Sequence, residues 1–297
     1  MKNNSITLTI IMNGTANYGE GLGNISSVQK IYRDKKTYTI RTKESLKNHI
    51  MNQSGFYDDL ETTLDKVVQK RIDSDFNLAM CRCLEGGYMS TAGKDSKNDK
   101  TRKRNSSFYV TDAISVEPFV NDTRFHNNLG LAENYQIKNN IEDIGKCGLN
   151  PFQYEHENNL RIYSITIDLN KIGVDANFDV DVDDSEKTDR VICLLEAVQS
   201  LSLVVKGNLD NAEPLFVIGG LSKRTTHAFQ NIVKVEENKI VLHDDLINRV
   251  NSTPGYNVGI MSGIFENQDD VKTKINAVSV DEFFEQLKNS IYEHFND

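Results

Sequence analysis

"RIYSITIDL", residues 161–169, decides how the chain is read. Ile162, Ser164, Thr166 and Asp168 alternate with Tyr163, Ile165, Ile167 and Leu169, the period of two that a strand requires. Residues 5–12, "SITLTIIM", alternate in the same way and supply a second strand. Around them the periods change. A helix is predicted over 42–53, capped by Thr42, with Leu46 and Ile50 inward and Lys43 and Lys47 on a solvent-facing stripe. A second helix is predicted over 58–72, with Leu60, Leu64, Val67 and Val68 inward. "FNLAMCRCL" (76–84) reads as a buried strand and 108–119 as further strand. A helix over 187–205 is apolar around most of its circumference, as a buried helix would be. Residues 213–230 run from a strand into a Gly-Gly basic loop, strands follow near 231–242, and an amphipathic helix covers 281–295. Without the excursions at 13–40, 85–107 and 120–160, the order is strand, helix, strand, strand, helix, strand. That is an α+β fold with the ferredoxin-like or RRM-like split βαβ pattern, and one decorated domain over 1–297 accounts for the length.

The chain has 34 Lys and Arg against 43 Asp and Glu, a formal net charge of −9. That balance argues against a general nucleic-acid coat, whose binding rides on phosphate neutralisation. It leaves room for a groove, because a local field matters more than the total. "KIYRDKKTYTIRTKESLKNHI" (30–50) holds seven Lys or Arg against two acids. Residues 93–107 hold six bases against two acids and no large apolar side chain, which reads as a mobile loop. A third group, Lys223, Arg224 and His227, follows Gly219-Gly220. Each run is either a solvated face or a grip on phosphates. At helix starts and beside glycines, backbone N–H groups would add to the grip. If the excursions converge on an RRM-like sheet, the three clusters would meet around one strand of RNA and hold its backbone rather than its bases.

Other chemistry finds less support. His49, His126, His156, His227, His243 and His294 are scattered, without a HExxH, GxSxG, P-loop or GxGxxG motif. In the acidic run 175–189, Asp179, Asp181 and Asp183 have the first spacings of a calcium loop. Asp184 occupies the Gly position and Arg190 the twelfth, so the motif breaks and a solvated acidic loop is expected. No metal or cofactor is implied. Cys81, Cys83, Cys147 and Cys193 form no CxxC pair, and Cys81 and Cys83 would share one buried strand face as reduced thiols, which indicates the cytoplasm. No segment approaches the roughly 18 apolar residues of a membrane helix.

The ordered set of segments resembles a known family. "ITLTIIMNGTANYG" ends in a loop with Asn17. "SVQKIYRDKKTYTIRTKESLKNHI" carries Gln29 and Lys30, a basic turn with Arg33, then Arg41, Lys43, Ser45, Leu46 and Lys47 at a helix start. "FNLAMCRCLEGGYM", "RIYSITIDLNKIG" and "GGLSKRTTHAF" follow in order. Together they are similar to the crRNA-binding backbone subunit of type I CRISPR Cascade complexes, in the DevR-like branch associated with subtype I-B.

The resemblance implies an RRM-like palm with finger insertions and a thumb at 120–160, copies polymerising along one crRNA, and each thumb displacing a base. It implies RNA contacts from Asn17, Gln29, Lys30, Arg33, Arg41, Lys43, Ser45 and Lys47. Others are implied from Arg124, Phe125 and His126 on the thumb, and from Lys223, Arg224, Thr225 and His227. Contacts to target DNA are expected from Lys94, Lys97, Lys100, Arg102, Lys103 and Arg104. The implied partners are crRNA, target DNA, further copies, and other Cascade subunits: the large subunit, the repeat-handle-binding subunit and the processing endonuclease. Lys47, Asn48 and His49 stand where many relatives have Arg pairs, and the family's Phe-Gly is replaced around Cys81 to Cys83. Type I members are not nucleases, so no catalysis is expected. Two alternatives stay open: a ferredoxin-like endoribonuclease using His126 or His227, and a plain interaction protein.

Overall fold

The computed structural model describes residues 3–19, 25–65, 67–90 and 101–296. Its frame is the antiparallel pairing of the first strand, Ser5–Thr15, with the central strand, Asn158–Asp168, over their whole length. Both alternate, so each sends one set of side chains to each face. Ile6, Leu8, Ile10 and Met12 join Tyr163, Ile165, Ile167 and Leu169 in the larger core, as the alternation predicts. The opposite face carries buried polar pairs. Thr9 Oγ1 and Ser164 Oγ lie 2.7 Å apart, and Thr166 Oγ1 donates to Thr7 Oγ1 at 3.4 Å.

The sheet has eight strands. Along its main path the order is Tyr256–Ile260, Phe216–Ser222, the first strand, the central strand, Ala113–Ser115, Lys36–Arg41 and Lys30–Arg33, with Phe108–Val110 also paired to the central strand. Helix α1 (Lys43–Gln53) lies in sequence between the first strand and Phe108–Val110, and α2 (Leu129–Asn139) falls within the 120–160 excursion. Helix α3 (Asp184–Gln199) connects the central strand to Phe216–Ser222. Helices α1 and α3, with α6 (Val280–Asn296), cover the larger core, while α4 (Asp244–Ser252) and α5 (Gln268–Ile275) enclose a second core on the other face. The result is a mixed helix-and-strand fold around one sheet. No helix among the described residues is long and apolar enough to cross a membrane.

Several expectations are corrected. Residues 58–72 are not a helix: Thr62–Asp65 and Val67–Lys70 pair as strands, and Leu64, Val67 and Val68 are exposed. Thr62-Thr63 and Val67-Val68 are β-branched pairs, which suit a strand better than a helix. "FNLAMCRCL" buries Phe76, Leu78, Cys81, Cys83 and Leu84 as predicted, but in turns and a 3-10 segment, Arg82–Gly86, not a strand. The helix predicted over 187–205 starts at Asp184, capped by Asp183, and ends at Gln199; Ser202–Val205 and Asn208–Asn211 then form a hairpin. Gly219-Gly220 is strand interior rather than loop. Both have positive φ, and a Cβ on Gly219 would stand 1.9 Å from the Thr7 carbonyl oxygen. Only glycine permits that approach.

The acidic run is not a uniformly solvated loop, since Asp175 is buried and accepts from Tyr88 Oη at 2.6 Å. Within the stretch read as a mobile basic loop, Arg102–Arg104 is a strand paired to Tyr88–Ser90. Arg104 is buried, donating to Glu85 at 2.8 Å, to Ser107 Oγ and to the carbonyls of Leu84, Lys171 and Val174. Glu85 is fully buried, accepting also from Arg190 at 2.9 Å and from the Gly173 N–H at 2.7 Å. A buried charge that loses its partner costs far more than the pair contributes. Glu85→Gln is therefore expected to destabilise the fold by about 3–5 kcal/mol, read as a lower urea midpoint.

Candidate nucleic-acid interface

The residues named before α1 are joined by their backbones. Asn17 N–H donates to the Ile40 carbonyl at 3.1 Å, its carbonyl accepts from Gln29 N–H at 2.8 Å, and Ile40 N–H donates to the Gln29 carbonyl at 3.0 Å. Asn17 Oδ1 accepts from Thr42 N–H at 2.7 Å, and Thr42 Oγ1 caps α1 by accepting from Ser45 N–H at 3.3 Å. Asn17, Gln29, Arg41 and Ser45 thus stand together at the start of a helix, whose dipole favours anions and where the Asp112 carboxylate already accepts from the Lys43 N–H at 2.7 Å. Lys43 is exposed there, 3.7 Å from Glu44. Lys30 reaches Glu155 at 2.6 Å and lies over the Phe119 ring. More exposed, Arg33 is 3.6 Å from Asp34 and lies over Tyr38.

Arg41 is different. It is only 2% exposed, and its Nε and Nη1 have no hydrogen-bond partner among the described residues. Burial lowers its pKa to about 10, with Asp210 opposing and Arg161 reinforcing that shift. Asp210 is itself occupied, accepting from Thr15 N–H at 2.8 Å, from Thr15 Oγ1 and from Asn208 Nδ2. Arg161, equally buried, donates to Gly14, Thr39 and Glu157.

Lys47 does not share the solvent-facing stripe expected of it with Lys43. Its ammonium donates to the Gly86 carbonyl at 2.9 Å and Ser106 Oγ at 2.8 Å, and sits over the Phe108 ring. The 3-10 segment, brought over α1 by folding, covers that stripe.

Beside this junction stands a three-stranded sheet made of Thr123–His126, Phe152–Glu155 and Ile25–Ser26. Arg124 lies opposite Tyr154, Phe125 opposite Gln153 and His126 opposite Phe152. Arg124, Phe125 and His126 are all exposed. His126 packs against two rings of the neighbouring strand, 5.3 Å from Phe152 and 4.8 Å from Tyr154, which are themselves 6.2 Å apart. Tyr18 meets Tyr154 edge-on, and Lys206, from the turn of the 202–211 hairpin, lies over both tyrosine rings at 4.2 and 4.8 Å. A cleft of about 280 Å³ opens among Tyr18, Arg124, Tyr154, His156 and Lys206. Burial raises the Tyr18 phenol to about 12. Burial, with Arg124 nearby, lowers His156, which is therefore neutral at pH 7. Phe152, Tyr154 and Lys206 were not singled out from the sequence. The alternation of "FQYE" at 152–155 is the only local signal for the first two.

The third cluster lies elsewhere. Ser5 pairs with Ser222, and Thr15 with Asn158 at the other end of the first strand. Lys223, Arg224, Thr225 and His227 therefore stand roughly 30 Å from the Asn17 junction, at about 3.3 Å per strand residue. The first and third basic clusters do not converge. His227 is half-buried, within 2.8 Å of Thr166 Oγ1, and burial lowers its pKa. Of the expected DNA contacts, Lys94, Lys97 and Lys100 lie outside the described residues. Lys103 is exposed, Arg102 lies over Phe178, and Arg104 is the core residue described above. Among the described residues no group of three ligating side chains is placed to hold a metal.

The family model described as "CRISPR-associated negative auto-regulator DevR/Csa2" matches residues 6–242. The chain belongs to the DevR/Csa2 family. No curated protein matches it. A chain of a solved "CRISPR RNA-guided surveillance complex, pre-nicking" is similar at a TM-score of 0.61 and 9% identity, over 95% of this chain and 100% of that one. A chain of a second "CRISPR RNA-guided surveillance complex" is similar at 0.56 and 11%, over 95% and 99%. At such identities the likeness is one of fold. In the DevR/Csa2 chain the Asn17–Arg41 junction and the aromatic cluster stand at one end of the sheet.

Lys47 gives the fold a measurable pH dependence. Burial, reinforced by Lys70, lowers its pKa from 10.5 to about 8. Below pH 8 the folded state bears the cost of the buried charge. Between 8 and 10.5 only the unfolded chain is protonated, so stability rises with pH. Relative to Lys47→Met, the native protein is expected to gain urea resistance from pH 7.5 to 10.

Proposed function

We propose that the chain is the non-catalytic crRNA-binding backbone subunit of a type I CRISPR surveillance (Cascade) complex, of the subtype I-B kind. The observation that carries this reading is Arg41, a buried guanidinium with two unpaired donors at a helix start. An unmet buried donor costs about 1–3 kcal/mol, and a phosphate of the guide would satisfy both with charge-assisted bonds. Asn17, Gln29, Ser45 and Thr42 build the wall around it. Lys30, Arg33 and Lys43 extend the cationic edge. Lys47, spent on the Gly86 carbonyl and the Ser106 hydroxyl, is left out.

An RRM-like palm in one domain is supported by the strand order. Phe216–Ser222, the first strand, the central strand and Phe108–Val110 lie side by side, with α1 and α3 as the two crossovers. On this reading the three-stranded sheet is the base of the thumb. Its cluster of Phe152, His126 and Tyr154 stacks against guide bases, while Arg124 and Lys206 face phosphates. Further copies are partners because Leu131, Tyr135 and Ile137 on α2, and Leu64, Val67 and Val68 on the 62–70 hairpin, stand exposed. Target DNA then pairs with the held guide, and the large, repeat-handle-binding and processing subunits complete an assembly in the cytoplasm.

Titration into a labelled crRNA-length RNA is expected to give a ladder of stepwise complexes that weakens steeply with salt and leaves the RNA uncut. Arg41→Ala with Arg124→Ala should weaken it at least tenfold. Phe152→Ala with Tyr154→Ala should cost about 1–3 kcal/mol per stacked base, with a nearly unchanged salt slope. Cut RNA would replace the reading with the endonuclease; no binding at low salt would remove it.

A further inference from the structure

The loop that leaves the Gly-Gly strand is fastened through its backbone and open through its side chains. Ser5 Oγ and Ser222 Oγ donate to the Arg224 carbonyl at 2.8 and 3.0 Å, Arg224 N–H donates to Ser222 Oγ at 3.2 Å, and Asn4 Nδ2 donates to the Lys223 carbonyl at 3.5 Å. The Lys223 ammonium and the Arg224 guanidinium have no ion pair or hydrogen bond among the described residues. Arg249, on α4, is held by the Ala228 carbonyl and lies over the Phe229 ring. These three cations, with Ser222, Thr226 and Tyr256, line a cleft of about 660 Å³ that has no carboxylate among its lining residues.

Thr226 also borders a neighbouring cleft of about 400 Å³, where His227, Lys171 and Tyr109 continue the lining. Its one carboxylate, Asp168, is 2.9 Å from Lys171 and so already neutralised. In a chain of net charge −9, a two-walled cleft free of unpaired carboxylates is where a polyanion gains most. Cations spread along a groove suit a succession of phosphates better than one, and arginine forks and hydroxyls are the donors that phosphates take.

We propose that this groove binds the phosphodiester backbone of a single nucleic-acid strand other than the guide. It stands at the opposite end of the first strand from the Arg41 junction and acts independently of it. The contact is to backbone, so it is indifferent to sequence and to complementarity with the guide.

The test uses the full chain carrying Arg41→Ala and Arg124→Ala, with fluorescence anisotropy of short thymidine and uridine oligonucleotides at several salt concentrations. Binding of at least one polymer is expected to persist, and the tighter one identifies the strand as DNA or RNA. Adding Lys223→Ala, Arg224→Ala and Arg249→Ala should weaken it on the order of tenfold and lower the salt slope by about 2, at about 0.7 per lost phosphate contact. An unchanged circular-dichroism melt shows that these exposed substitutions leave the fold intact. The proposal is overturned if the first double variant binds neither polymer at low salt, if the three further changes do nothing, or if an oligoglutamate peptide displaces the oligonucleotide at equal concentration. Should Arg41→Ala and Arg124→Ala leave guide binding untouched, the guide site fails and this one does not.

Discussion

The arrangement rests on one buried carboxylate. Glu85 sits between Arg104 and Arg190 with no solvent exposure, and the Gly173 N–H fills a further lone pair. Each of these charges would be prohibitive alone in a core and is tolerable only in this set. The groups come from the 3-10 segment, the 102–104 strand, the loop after the central strand, and α3. The next residue, Gly86, offers its carbonyl to Lys47 of α1. The position of α1 is thereby tied to the ion cluster, and with it the cap at Thr42, the Asn17 contact and the setting of Arg41.

Two buried arginines near that junction show the difference between a structural and a binding role. Arg161 has every side of its guanidinium engaged by Gly14, Thr39 and Glu157, and it locks the central strand to its neighbours. Arg41 is as deeply placed but under-used, and the nearby carboxylate of Asp210 is spent on Thr15 and Asn208. Burial alone would not separate the two; the count of unmet donors does.

What could be read in the sequence was whatever repeats locally. The alternation at 5–12 and 161–169, the Thr42 cap, and the apolar faces of α1 and α6 stand where they were expected, and that of α3 does as far as Gln199. Helical spacing misled at 58–72 because periodicity presumes a core to face. The apolar side chains there point outward, and the β-branched pairs settled the outcome. Gly219-Gly220 read as a loop because glycine is a turn residue, whereas the cause is a neighbouring carbonyl too close for any Cβ. Arg104 read as a loop cation because its partners at 85, 171 and 174 are distant in sequence. The aromatic cluster is illegible for the same reason: Tyr18, His126, Phe152, Tyr154 and Lys206 become neighbours only after folding. The Asn17–Arg41 set was legible through resemblance, but that it is separate from the Lys223 loop follows from register alone.

The 120–160 excursion leaves and re-enters the body at nearly one point, since the His156 N–H donates to the Asp122 carbonyl at 2.9 Å and Thr123 pairs with Glu155. It is held to the body by the short pairing of Phe152–Glu155 with Ile25–Ser26, by the Ala16 N–H on the Glu157 carbonyl, by Glu155 accepting from Lys30 and the Val28 N–H, and by the ring contacts around Lys206. Such an attachment makes the excursion a replaceable cassette. Its length and tip can drift, or be exchanged between relatives, without disturbing the Glu85 core, so divergence in this lineage should concentrate there while the sheet beneath stays fixed.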